Sequence, residues 1–166
     1  MDAAFLPGFD VVMTTALVDL DLALEVVSRV VDPEIPVLTI AELGILREVA
    51  VEEGQIVVTI TPTYSGCPAM RQIEDDIRAH LVAAGFDQVV VKITHTPAWT
   101  TDWIAPDAKS KLEAFGIAPP SAVIEVLCPQ CHAPTPRLVS RFGSTACKAL
   151  MVCTGCGEPF DWFKEF

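Results

Sequence analysis

Positive charge is scarce in these 166 residues, long apolar runs are missing, and cysteine is nearly absent before residue 128. Eleven lysines and arginines face 22 acidic residues, a net charge of −11. Nucleic-acid binding rests on cationic contacts to phosphate, so an acidic chain sets that class of partner aside. A protein partner or a cationic ligand fits better. No apolar run approaches the ~18 residues that a membrane span needs. The N-terminus carries Asp2 and Asp10 and no basic residue before Arg29, which does not read as a secretion signal. A cytoplasmic protein without membrane or nucleic-acid partners is expected. There is no glycine-rich phosphate loop, no Ser/His/Asp grouping and no Glu-x-x-His pair. His80, His95 and His132 are scattered, so the chain is not expected to be catalytic by itself.

What is present suits a folded protein. Hydrophobic residues make up 51% and charged ones 20%, with mean hydropathy +0.44, which excludes a disordered chain. The charge is uneven: residues 1–127 carry −12 and residues 128–166 carry +1. The cysteines divide in the same way, one at 67 and five at 128, 131, 147, 153 and 156. A break near Pro119-Pro120 gives two units, 1–120 and 121–166.

Periodicity outlines the first unit. Leu20, Leu24, Val27 and Val31 predict a helix over about 19–31, stopped by Asp32-Pro33 because a residue before proline avoids helical geometry. The acidic stretch Asp32-Pro33-Glu34-Ile35-Pro36 follows, either a site loop or simply a helix-terminating turn. Strands are predicted over 45–52 and 55–61, joined at Glu53-Gly54 as a hairpin. A helix over 68–84 packs Met70, Ile73, Ile77 and Leu81 on a sheet, and a third, well-buried strand covers 88–95. The expected fold is a small mixed sheet with helices on one face, in the α/β (α+β) class.

Cys67 stands where strand turns into helix, with Pro68 at the first helical position. As N-cap it would sit beside unpaired N–H groups at the positive end of the helix dipole, which favours thiolate, metal binding or nucleophilic attack. An inert buried cysteine is the alternative. Trp99 and Trp103, four residues apart, either seal a sheet edge or shape a partner surface. Residues 1–13 are apolar but irregular and are expected to lie against the body or a partner. A short helix over 106–115, closed by Gly116, precedes the break.

The second unit is expected to start with a strand over 123–127 and to continue with β segments near 137–142, 149–152 and 160–163. Two Cys-x-x-Cys pairs, Cys128/Cys131 and Cys153/Cys156, stand 21 residues apart. Without a secretion signal this reads as a metal site before it reads as disulfides. Four thiolates on short hairpins describe a zinc ribbon, closed and structural. His132 or Cys147 could replace a ligand, and iron could replace zinc.

Three motifs occur in one order: Asp32-Pro33-Glu34-Ile35-Pro36, Thr61-Pro62-Thr63-Tyr64-Ser65-Gly66-Cys67-Pro68 and Pro97-Ala98-Trp99-Thr100. With these the first unit resembles the SufT-like family of iron–sulfur cluster assembly. Phe142-Gly143-Ser144-Thr145-Ala146-Cys147-Lys148 and Glu158-Pro159-Phe160 make the ribbon similar to that of the PaaD (PaaJ) family of phenylacetate degradation. The resemblance spans about residues 18–166, and residues 1–17 match no motif. It implies a cluster-assembly fold and a role with the multicomponent phenylacetyl-CoA epoxidase, which has a di-iron subunit and an iron–sulfur reductase. It also implies that Cys67 is the functional cysteine and that Asp32 and Glu34 form its acidic motif. One cysteine in the first unit cannot hold a cluster alone. A transient iron–sulfur cluster, or iron, would then be shared across a homo-oligomer, with epoxidase subunits, or with other iron–sulfur assembly proteins. Two alternatives stand beside an assembly factor: a non-catalytic subunit of the oxygenase, and a thiol redox protein pairing Cys67 with Cys147 or a Cys-x-x-Cys pair. The redox reading needs two sulfurs close enough to bridge.

Overall fold

The computed structural model describes residues 19–120, 126–134 and 136–166. The expectations for residues 1–13 and for most of the strand over 123–127 lie outside the described residues; Val126 and Leu127 are in no strand.

Helix α1 spans Leu20–Ser28, with the Asp19 carboxylate accepting the Leu22 N–H at 2.9 Å as N-cap. It is shorter than the periodicity predicted, because Val31–Asp32 extends as strand β1 and pairs with β2, Ile35–Thr39. The predicted stripe is also corrected: Leu20, Leu24 and Val31 are exposed, and Ala23, Val27 and Val30 are buried.

Strand β3 (Leu46–Glu52) and strand β4 (Gln55–Ile60) form the predicted hairpin, with Glu53 and Gly54 at φ 50° and 80° as the two-residue turn that antiparallel twist favours. After helix α2 (Ala69–Ala83) the chain returns as β5 (Val89–Ile93), parallel to β4. Central β4 is the buried strand, contributing Ile56, Val58 and Ile60. Strand β5 is half-buried to exposed, not well buried as predicted, because it is the sheet edge. Helix α2 places Met70, Ile73, Ile77 and Leu81 in the core, as the period of 3.6 requires.

Helix α3 (Pro106–Ala114) leads into β6 (Ile117–Ala118), which pairs with β9 (Pro159–Phe163). With β7 (Pro136–Ser140) and β8 (Lys148–Cys153) they form a four-stranded sheet in the order β6-β9-β8-β7. The main core runs through both sheets: Phe163, Ile117 and Cys147 pack with Val27, Ile60, Ile73 and Trp99. Trp99 is the bolt between them. Its indole N–H donates to the Leu43 carbonyl at 2.9 Å, and its ring lies 6.0 Å from Phe163 and 6.1 Å from Phe166. Trp103 is half-buried, with the Arg47 guanidinium 3.6 Å over its ring. A smaller core of Ala118, Cys128, Met151, Cys153 and Phe160 underlies the cysteine knuckles. No helix among the described residues is long and apolar enough to cross a membrane.

Candidate functional site

Cysteines gather at two places. The first is the predicted tetrad: Cys128, Cys131, Cys153 and Cys156 bring their sulfurs within 4.8 Å of one another. Cys128 and Cys156 are 3.8 Å apart, and Cys131 and Cys153 are 3.5 Å apart. Four sulfurs ~2.3 Å from a central ion, at tetrahedral corners, would be separated by ~3.8 Å. The donor set therefore fits one metal ion.

The two knuckles are built alike. Cys128 N–H donates to the Ala133 carbonyl and its carbonyl accepts from His132 N–H; Cys153 makes the same bonds with Glu158 and Gly157. His132 has φ 56° where Gly157 has φ 80°. The histidine thus fills the left-handed turn position that glycine fills opposite, and its Nδ1 stands 3.3 Å from a Glu113 oxygen. It is not part of the tetrad. The N–H groups of Gly155 and Cys156 lie 3.3 and 3.5 Å from the Cys153 sulfur. Chiefly through the Cys156 N–H, they pull that thiol down to about 6, whereas the neighbouring sulfurs push Cys131 and Cys156 up against their own backbone N–H donors, so the first thiolate of the four sits on Cys153. With four protein ligands such a site is closed and structural.

The second place is the loop before α2. Cys67 is half-buried, and its N–H donates to the Tyr64 carbonyl at 3.2 Å. The helix begins at Ala69 with Pro68 as N-cap, so Cys67 lies one residue outside the predicted position. Its sulfur still accepts a hydrogen bond from the Ala69 N–H, but the predicted bias toward thiolate is overturned. Burial, with Glu34, Asp32 and Cys147 adding negative charge, pushes the thiol up to about 11. A single N–H donor does not offset that sum.

Glu34 and Asp32 stand near enough to Cys67 for their charge to oppose its ionisation. Asp32 is 5% exposed, and one carboxylate oxygen accepts the N–H groups of Glu34 and Ile35 at 2.8 Å each. Burial raises its pKa despite those bonds and the nearby Lys148. Glu34 is raised as well, by burial and then by Asp32. Tyr64 is raised by burial and by Cys67. Cys147, in the turn before β8 and the cysteine that the redox reading pairs with Cys67, also adds to the charge there, while Lys148 at the start of β8 acts on Asp32, Glu34 and Cys147 and was not expected. The signal available was an odd cysteine left over from the knuckles, followed directly by a lysine. His80 and His95 are exposed and take no part.

Comparison with known proteins follows the same division. Residues 21–94 match the family described as iron-sulfur cluster assembly protein, and residues 118–164 match the PaaD zinc beta ribbon domain. The chain is 48% identical over 144 residues, 82% of its length, to an Escherichia coli protein named as a putative subunit of 1,2-phenylacetyl-CoA epoxidase, covering 87% of that protein. It is 35% identical over 85 residues to the Fe-S protein maturation auxiliary factor SufT of Staphylococcus aureus, covering 50% of this chain and 96% of the relative. A crystal structure of a DUF59 domain from Bacillus anthracis superposes with a TM-score of 0.51 at 27% identity, over 56% of this chain and 90% of that one.

Proposed function

The chain belongs to the PaaD family, whose cluster-assembly domain and zinc ribbon it carries in full order, and from that premise we propose its role. It is an accessory protein of aerobic phenylacetate degradation that helps to assemble or maintain the iron–sulfur or di-iron centres of phenylacetyl-CoA epoxidase. Cys67 is the thiol that handles iron, sulfide or a transient cluster as cargo, with Asp32 and Glu34 beside it. The ribbon ion is zinc, and it supports folding. The observation that carries this reading is the match of residues 21–94, which hold Cys67, Asp32 and Glu34, to the iron-sulfur cluster assembly family.

The chemistry follows from charge. A thiol held near 11 among acids is a poor free nucleophile, since its thiolate fraction at pH 7 is only ~10⁻⁴. A metal cation reverses the balance, because it displaces the proton and turns the neighbouring carboxylates from a penalty into an attraction. Thus the site stays quiet until cationic cargo arrives. This arrangement suits delivery better than redox turnover of the free thiol.

The test is Cys67→Ser in cells growing on phenylacetate. Iron and acid-labile sulfide in the purified epoxidase, and its activity, are expected to fall several-fold while the variant itself accumulates normally. Unchanged loading and activity would remove the reading. The name of the E. coli relative favours a second reading, a resident subunit. Recovery of this chain at a fixed stoichiometric ratio in the active, fully matured complex would select it.

A further inference from the structure

Thr61 is 1% exposed, and its hydroxyl has no hydrogen-bond partner, although its N–H donates to the Ile45 carbonyl at 2.8 Å. A buried hydroxyl left unpaired costs free energy, and a polar group that reaches it recovers part of that cost. The same residue lines a cavity of about 350 Å³. The cavity lies beyond the C-terminal ends of β4 and β5, since Thr61 follows Ile60 and His95, also on its wall, comes two residues after Ile93. The Thr94 N–H donates to the Ile60 carbonyl at 2.9 Å and holds the two strand ends together. Beyond the carboxyl ends of parallel strands the chain turns away from the sheet, which leaves a crevice that ligands commonly use.

The floor of this crevice is closed and its rim is open. Thr61, Thr63 and Trp99 are buried, whereas Ser65, His95 and Ala98 are exposed. Trp99 spends its indole N–H on the Leu43 carbonyl, so it offers the cavity apolar surface alone. Tyr64 and Phe166, whose ring is 6.1 Å from that of Trp99, add aromatic surface. Among the described residues no lysine, arginine, aspartate or glutamate lines the space, so neither an anion nor a cation finds a charged partner there. Burial, then the charge of Cys67 and Glu34, raises the Tyr64 phenol, and the same negative surroundings oppose an anionic guest. An apolar cavity of about 150 Å³ takes up benzene, so a ring with its substituents has room here.

We propose that this cavity binds a small neutral molecule that carries an aromatic ring and one hydroxyl or carbonyl group. The ring packs against Tyr64, Trp99 and Phe166, and the polar group pairs with the Thr61 hydroxyl, which can donate or accept. The site is separate from the ribbon tetrad and does not depend on what Cys67 handles. It nevertheless adjoins the Cys67 loop, because the Cys67 N–H donates to the Tyr64 carbonyl at 3.2 Å. Selectivity comes from the orphan hydroxyl: a ring without a polar group leaves it unpaired and binds less tightly.

The test uses the full chain with metal in the ribbon and follows backbone amide NMR shifts during titration with phenol, toluene or benzoate. Phenol is expected to shift the amides of Thr61, Tyr64, Ser65 and His95 saturably. Toluene and benzoate should each bind about tenfold more weakly, the first for want of a polar group and the second for its charge. Thr61→Val keeps the branched shape and removes the hydroxyl. It should weaken phenol about tenfold, to the level of toluene, and leave toluene unchanged. Ala98→Phe, placed at the exposed rim, should fill the space and abolish binding of all three. Absence of a saturable phenol response in wild type overturns the proposal. So does equal binding of phenol with either toluene or benzoate, a Thr61→Val variant that binds phenol like wild type, or binding that survives Ala98→Phe.

Discussion

The two sulfur sites solve the same problem, negative charge held at close range, in opposite ways. In the ribbon the thiols converge on one point, backbone N–H groups of the knuckles stabilise a thiolate, and the sulfur spacing is already that of a tetrahedron. Around Cys67 and Cys147 burial raises the pKa of both thiols and of Asp32 and Glu34, and the Lys148 ammonium only partly offsets it at Asp32, Glu34 and Cys147. The first arrangement makes a metal permanent. The second opposes ionisation of its thiols.

The comparison breaks most visibly if the ribbon metal is removed. Chelation is expected to cost the second sheet on the order of 10 kcal/mol of folding free energy, the scale of structural zinc binding. Because Phe163 and Ile117 belong to the main core, the melting temperature of the whole chain should fall with it. Calorimetry of chelated protein that shows an unchanged transition would mean that the two sheets are energetically separate. A smaller effect tests the bolt. Trp99→Ala removes a buried ring, its bond to Leu43 and its packing on Phe163 and Phe166. The expected loss is about 3–5 kcal/mol by urea unfolding. A value below about 1 kcal/mol would show that the ring is not what joins the sheets.

The smallest effect sharpens the other half of the comparison. Asp32→Asn keeps an oxygen to accept from Glu34 and Ile35 while removing a buried charge. The folded-state pKa of Asp32 is raised by burial above its ordinary 3.8, so ionising it favours the unfolded chain. Wild type therefore loses stability relative to the variant as pH rises from about 3.8 through the folded value, and the gap closes below that window. Parallel unfolding curves across pH check this. A variant less stable than wild type at neutral pH would indicate that the carboxylate is already well paired.

Much of this molecule was legible because its signals are local. Cys-x-x-Cys spacing, the Glu53-Gly54 turn and the 3.6-residue stripe of α2 each need only neighbours in the chain to take effect. The failures share a different cause. Val31 reads as helical but pairs with Thr39, and Ile40 N–H reaches the Val30 carbonyl at 2.9 Å, so tertiary pairing overrides propensity. The 89–93 run reads as buried but stands at an edge, since strand order is a global property. Cys67 reads as ionised because the helix terminus is local, whereas the burial that opposes ionisation, and the acids that add to it, are set by the rest of the fold.

The amino-acid order by itself determined that there would be a four-cysteine ribbon, a hairpin followed by a helix and a further strand, and a cysteine at a strand-to-helix junction, since spacing and periodicity act over a few residues. Only the tertiary structure decided that Cys147 would sit in the main core rather than in the ribbon's own. That placement depends on Trp99 and Phe163 packing two sheets into one core, and apolar packing over such separations has no short-range signature in the chain.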